Sequence, residues 1–252
     1  MKAIVYRRYG PPNVLELTEV AKPMPGVNEV LIKIHAATVT SGDWRARSLE
    51  MPPGFGFIGR LVFGIFGPRK PILGSELAGE IAAADNGVTK FKAGDQVFAF
   101  SGAGLGCHAE YRTMPEDGAI ALKPANVIYE QAAAIPFGGT TALHFLRDKG
   151  KIQSGERVLV NGASGAVGSA AVQLAKHFGA AVTGVCSTAN LKLVTSIGAD
   201  KVIDYTNEDF TKNGETYDII LNTNGVVSFS QCEHSLKRAG VFSWSWRDCR
   251  RC

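Results

Sequence analysis

The sequence predicts an α/β protein. A β-rich domain is expected over residues 1–125, an incomplete doubly wound parallel sheet over 126–240 and a tail over 241–252. Three observations carry this reading. Short apolar runs punctuated by Pro, Gly and Asn-Gly fill the first half. From about residue 128, helical windows alternate with single strands, the pattern of a parallel α/β sheet. A small-residue turn, Asn161-Gly162-Ala163-Ser164-Gly165-Ala166-Val167-Gly168, stands at a strand-to-helix junction of the second half.

Residues 30–34, 78–83 and 96–100 read as strands of the first half, and Asp85-Asn86-Gly87 and Gly94-Asp95 as turns. In the second half, strands are expected at 157–161, 181–185, 201–204 and 218–222. Between the first two of these, Val167, Ala170, Ala171, Leu174, Ala175 and Phe178 line one helix face, and Gly179 follows as a C-terminal cap. The longest apolar stretch, residues 54–67, is broken by glycines and Arg60. It is too short for a membrane span, which needs roughly 20 apolar residues. Its composition predicts a Gly-rich loop lining a pocket; a loop touching a membrane is the alternative.

The chain has 252 residues, 45% hydrophobic and 20% charged, which excludes a disordered tail protein. Five cysteines are too sparse, and odd in number, for a disulfide scaffold. With no targeting segment before the first strand, a cytoplasmic location is expected. The net charge of +4 sits wholly in residues 237–252, where Lys237, Arg238, Arg247, Arg250 and Arg251 face Asp248 alone. The remaining body is neutral, so neither a nucleic-acid nor a membrane partner is expected.

Against the fingerprint G-x-G-x-x-G, the turn places Ala163 first, Gly165 second and Gly168 third. Small residues there permit a tight turn, close backbone approach to a pyrophosphate, and close helix–strand packing. The helix N-terminus offers free N–H groups and the positive end of its dipole. A strand before it and an amphipathic helix after it make this a Rossmann dinucleotide site. NAD sites place an Asp or Glu about 20 residues on. Here Val185-Cys186-Ser187-Thr188-Ala189-Asn190-Leu191-Lys192 has no acid. NADP(H) is therefore favoured, with Ser187 and Lys192 on the 2′-phosphate and Tyr205 packing nearby.

The fingerprint lies too late for the short-chain dehydrogenase plan, and no Tyr-x-x-x-Lys pair is present. Gly74-Ser75-Glu76-Leu77-Ala78-Gly79, Phe91-Lys92-Ala93-Gly94-Asp95-Gln96-Val97 and Ala134-Ile135-Pro136-Phe137-Gly138-Gly139-Thr140-Thr141-Ala142 join the glycine turn and Gly198-Ala199-Asp200-Lys201-Val202-Ile203-Asp204-Tyr205 in one pattern. Together they resemble the medium-chain dehydrogenase/reductase superfamily, in its zinc-free quinone oxidoreductase, zeta-crystallin-like group. The resemblance implies a GroES-like substrate domain, a Rossmann domain and an active site in the cleft between them.

Zinc-dependent members carry a catalytic His where this chain has Ser75, and a catalytic Cys in the stretch that reads Thr38-Val39-Thr40-Ser41-Gly42-Asp43 here. Cys107 alone stands where their structural zinc has four cysteines. A catalytic zinc needs three protein ligands and a structural one four, so no metal is expected. Without a Lewis acid, an activated double bond is an easier acceptor than a plain carbonyl. The expected reaction is hydride transfer to a quinone or enone, with Thr141 near the nicotinamide and Ala163, Ser164, Gly165, Ala166, Val167 and Gly168 around the pyrophosphate. Thr40, Ser41 and Asp43 are candidates for polarising substrate or relaying a proton, Asp43 equally for capping a turn. A 2-enoyl thioester reductase and an inactive nucleotide-binding remnant are the alternatives.

The five histidines form no constellation, and Cys249-Arg250-Arg251-Cys252 has no partner motif. Family members continue further, and the crowding of Trp244, Trp246, Cys249, Cys252 and three arginines suggests a shifted reading frame near residue 240; a genuine short form is the alternative. Poor solubility and little activity are expected of such a chain. A homodimer is expected of the full-length family, through the late strands of the sheet.

Overall fold

Alternating apolar and polar residues give the first half antiparallel strands, and continuous apolar runs give the second half parallel ones. The computed structural model describes residues 1–51, 56–244 and 247–251. The chain divides into two compact units, Met1–Pro136 and Phe137–Cys252.

In the first unit, β1 (Lys2–Tyr6) and β2 (Leu15–Glu19) form an antiparallel ribbon. The strands β3 (Glu29–Ala37), β4 (Glu76–Ala84), β5 (Gln96–Phe100), β6 (Tyr111–Pro115) and β7 (Ile120–Leu122) form an antiparallel sheet in the order β6-β3-β4-β5-β7. Val30, Ile32, Leu77, Ile81, Val97, Ala99, Cys107 and Met114 build its core. Helix α1 (Ser41–Ser48) follows β3.

Residues 54–67 depart from the expected loop, because Gly56–Phe63 form helix α2. Its apolar residues recur at helical spacing, and that periodicity outweighs the glycines. Residues 52–55, where the stretch begins, lie outside the described residues. The unit also runs past the expected boundary at 125. Helix α3 (Tyr129–Ala133) packs Ala132 and Ala133 onto Ala78, beside Ala36 and Phe98, and so belongs to the sheet of the first unit.

The second unit begins with α4 (Pro136–Leu143), prolonged by a π-helical segment His144–Lys149. Then follow β8 (Arg157–Asn161), α5 (Ala166–His177), β9 (Ala181–Cys186), α6 (Leu191–Ser196), β10 (Lys201–Asp204), β11 (Tyr217–Asn222), α7 (Phe229–Cys232), β12 (Leu236–Trp244) and β13 (Arg247–Arg251). The sheet order is β10-β9-β8-β11-β12-β13. All neighbours are parallel except β12 and β13. Central strand β8 is buried on both faces: Val158 and Val160 join the cluster under α5, while Leu159 joins Val185, Ile203, Tyr217 and Ile220 on the other side. Gly179, at φ +81°, ends α5 as expected. The compositionally foreign tail still supplies an edge strand, since backbone pairing does not depend on side-chain chemistry. Among the described residues, no helix is long and apolar enough to cross a membrane.

Two core thiols have a measurable consequence. Burial pushes Cys107 up to about 11, against the smaller pull of the Ser101 hydroxyl, and pushes Cys232 up to about 12. An unfolded thiol ionises near about 8.5, so above that pH the unfolded chain releases protons that the folded chain retains. Their contribution is therefore complete below about pH 8.5 and declines as pH rises toward the folded values. The melting temperature should fall between about pH 8.5 and 11, and less steeply in Cys107→Ala. Equal slopes for both proteins would contradict this origin.

Candidate functional site

The two strands at the centre of the second sheet lead the chain in opposite directions. From β8 the chain moves outward through α5 to β9 and β10, then returns to β11 on the other side of β8. The crevice at the carboxyl ends of β8 and β11 is thus a topological switch point, where open α/β sheets bind ligands.

The glycine turn occupies that crevice. Gly162 has φ +84°, which an L side chain rarely adopts, and it turns the chain sharply out of β8. A Cβ on Gly168 would lie 2.1 Å from the carbonyl oxygen of Gly162, so only glycine lets α5 sit this close to the strand end. Gly165 is the N-cap of α5 and has no side chain to cap it. The first backbone bond into the helix is from Ser169 N–H to the Gly165 carbonyl, at 2.8 Å. The N–H groups of Ala166, Val167 and Gly168 precede that bond and have no intrahelical acceptor. Gly165 and Ala166 are exposed, Ser164 is half-buried, and Ala163 and Val167 are buried beneath them. This is a cradle for an anion: donors, a dipole and no Cβ in the way.

Helix α4 is brought against the same turn. A Cβ on Gly138 would meet the Ala166 carbonyl oxygen at 2.5 Å, so the two helices touch through glycine. Thr141, half-buried, lies three residues further along the same side of α4.

At the end of β9, Ser187 is half-buried and accepts a hydrogen bond from the Asn190 amide at 3.1 Å. Lys192 on α6 and Tyr205 after β10 are exposed. A carboxylate is nevertheless near in space, since Thr188 donates its hydroxyl proton to Asp204 at 2.6 Å. The backbone and hydroxyl of Thr206 and the amide of Asn207 also donate to Asp204. These bonds, that from Thr188 foremost, hold the Asp204 carboxyl below the usual carboxylate range. Burial raises the neighbouring Cys186 thiol, with a smaller push from Asp204.

In the first unit, Thr40 caps α1 in a reciprocal box. Asp43 accepts from the Thr40 N–H at 2.7 Å and from its hydroxyl at 2.8 Å, while Thr40 Oγ1 accepts from Asp43 N–H. The other Asp43 oxygen accepts from Gly74 N–H at 2.8 Å. This buried carboxylate thus ties the start of α1 to the segment before β4. Ser41, the first residue of α1, is exposed. Close by in sequence, Thr38 donates to the buried Glu76 at 2.6 Å, and its carbonyl lies 2.8 Å from His108 Nε2. Among the described residues no three His, Cys, Asp or Glu side chains gather as a metal site.

One network was not foreseen. At the paired ends of β8 and β11, Asn161 Nδ2 donates to Asn222 Oδ1 at 3.0 Å and to Asn224 Oδ1 at 3.2 Å. Asn222 Nδ2 donates to the Val227 carbonyl at 2.6 Å. The Thr223 hydroxyl donates to the Asn161 carbonyl at 2.8 Å, so the segment after β11 is pinned beside the glycine turn. The signal in the sequence was an Asn ending each of two neighbouring apolar strands.

Comparison with known proteins agrees with this geometry. The chain matches the family model of the alcohol dehydrogenase GroES-like domain over residues 26–124 and that of zinc-binding dehydrogenases over 166–244. It is 36% identical over 253 aligned positions to a chloroplastic quinone-oxidoreductase homologue of Spinacia oleracea, covering 95% of this chain and 73% of the relative. An NADPH-dependent alkenal/one oxidoreductase of Arabidopsis thaliana is 34% identical, with 94% and 59% covered. Among solved structures, a quinone oxidoreductase of Pseudomonas syringae superposes with a TM-score of 0.80 at 30% identity, over 96% of this chain and 72% of that one.

Two glycine substitutions separate folding from binding. Gly168→Ala drives a Cβ into backbone and should cost about 3 kcal/mol of stability. Gly165→Ala meets only Gly162 oxygen at an ordinary 3.5 Å and should melt almost unchanged. It nevertheless intrudes where a phosphate would approach, and should weaken NADPH binding at least about tenfold by fluorescence titration. Unaltered binding by Gly165→Ala would contradict the cradle.

Proposed function

Because the chain belongs to the medium-chain dehydrogenase/reductase superfamily, in its zinc-free quinone oxidoreductase group, we propose that it reduces quinones or α,β-unsaturated carbonyls with NADPH. Family membership makes it an oxidoreductase that uses a nicotinamide dinucleotide; the choice of NADPH and of acceptor is our reading. The observation that carries it is the uncapped start of α5 at the switch point, where three N–H groups meet no side chain.

NADPH, when bound, supplies the hydride. Ala163, Ser164, Gly165, Ala166, Val167 and Gly168 are assigned to its pyrophosphate: the backbone N–H groups bind, and Gly165 admits the phosphate. Thr141 is assigned to orienting the nicotinamide. For the 2′-phosphate we assign Ser187 and Lys192, which offer a hydroxyl and an ammonium, with Tyr205 packing alongside. The Asp204 carboxylate, occupied by its four donors, orients Thr188 and the start of the next turn rather than a ribose.

In the first unit, Thr40, Ser41 and Asp43 are assigned to the acceptor. The Thr40 hydroxyl proton is committed to Asp43, so Ser41 Oγ is the group proposed to donate a hydrogen bond to the acceptor's oxygen. Asp43 acts as a positioning residue through its bonds to Thr40 and Gly74. With Ser75 in place of the zinc-ligating His and no Cys in the stretch Thr38-Val39-Thr40-Ser41-Gly42-Asp43, a plain carbonyl would lack a Lewis acid, whereas a conjugated acceptor asks less of the protein. The free thiols Cys107, Cys186 and Cys232 and the neutral body support a reducing, cytoplasmic setting. A homodimer is part of the same reading, by family pattern.

Loss of NADPH absorbance with a panel of quinones and enones tests the reaction; binding without turnover of any acceptor would favour an inactive remnant. NADPH should outcompete NADH. Lys192→Glu should weaken NADPH about tenfold while leaving NADH affinity unchanged. An equal effect on both dinucleotides would remove Lys192 from the phosphate site.

A further inference from the structure

Helix α2 turns its apolar side outward. Phe57, Ile58, Leu61 and Val62 fall at i, i+1, i+4 and i+5, one face of the helix, and are 74%, 52%, 43% and 52% exposed. Ile65 and Phe66, which follow, are 46% and 103% exposed.

The opposite side is anchored. Phe63 packs against Tyr6, Val14, Ala46, Leu73 and Leu105. Tyr9 donates its hydroxyl proton to the Gly64 carbonyl at 2.8 Å, and Arg69 N–H donates to the Phe63 carbonyl at 2.8 Å. The orientation is therefore held by the core of the first unit, with six large apolar side chains on the side away from it. Monomeric domains rarely expose so contiguous an apolar patch without a use for it.

Cations predominate around the patch. Residues 51–73 contain Arg60, Arg69 and Lys70, all exposed, and no carboxylate; the exposed Glu50 stands just before them, next to the Met51 side chain that lies against Gly59. The exposed Arg7 and Arg8 follow the neighbouring strand β1, which is joined to this segment by the bond from Tyr6 N–H to the Pro71 carbonyl at 2.8 Å. The neutral body predicted no membrane partner, but charge acts locally, within about a Debye length. An apolar helix face bordered by cations is the pattern that lies in a lipid headgroup region. We propose that α2 and residues 65–70 dock this chain onto an anionic lipid surface, the apolar side chains inserting and Arg7, Arg8, Arg60, Arg69 and Lys70 meeting lipid phosphates.

Co-sedimentation of the full chain with vesicles of phosphatidylcholine, with and without phosphatidylglycerol, tests this without reference to catalysis. Binding should require phosphatidylglycerol and weaken with added salt. The double substitutions Phe57→Ser with Phe66→Ser, and Arg69→Glu with Lys70→Glu, should each lower partitioning about tenfold at unchanged melting temperature. Equal sedimentation with neutral and anionic vesicles would overturn the proposal, as would variants that bind like the parent. Self-association that the Phe57/Phe66 variant abolishes, without vesicle binding, would instead assign the face to a second copy and also overturn it.

Discussion

The second unit depends on one close approach, that of the Gly168 backbone to the Gly162 carbonyl. A Cβ there would lie 2.1 Å from the oxygen, so the site exists only while position 168 lacks a side chain. Given that contact, α5 starts directly at the end of the central strand, its first N–H groups face the crevice, and no cap competes for them. The burial of β8 on both faces holds the strand that aims the turn. The buried amides of Asn161 and Asn222, joined by the exposed Asn224, then fix the facing wall by hydrogen bonds that a buried polar group cannot forgo. The binding proposed for this turn rests on backbone held by packing.

In the first unit, Ser75 stands where zinc enzymes of the superfamily carry a catalytic His, and the stretch Thr38-Val39-Thr40-Ser41-Gly42-Asp43 where they carry a catalytic Cys. Thr40 instead joins a capping box, and Asp43 spends both oxygens on Thr40 and Gly74. These residues organise the turn that starts α1. A conjugated acceptor suits such a site, because most of its activation lies in its own π system, and the protein's part is positioning and the exclusion of water.

What was legible in the sequence follows the strength of each periodic or steric signal. Strands β8 and β10 and helix α5 were readable because buried parallel strands and amphipathic helices leave unambiguous patterns. The glycine turn was readable because two of its positions, Gly162 and Gly168, leave no room for a side chain. Helix α2 was missed because its glycines suggested a loop, while its apolar spacing, unusually, marks an outward face. The reach of α3 into the first unit was missed because small Ala-on-Ala contacts leave little trace in composition. Asp204 beside Thr188, in the turn after β9, and Asn161 beside Asn222 join residues of neighbouring strand ends, and linear spacing carries no register between strands.

If backbone amides at the start of α5 hold the dinucleotide, amide hydrogen exchange followed residue by residue, with and without NADPH, reads it at the atoms concerned. Exchange at Ala166, Val167 and Gly168 should slow markedly when NADPH is bound. NADPH bound by fluorescence, with exchange at those three amides unchanged, would contradict it.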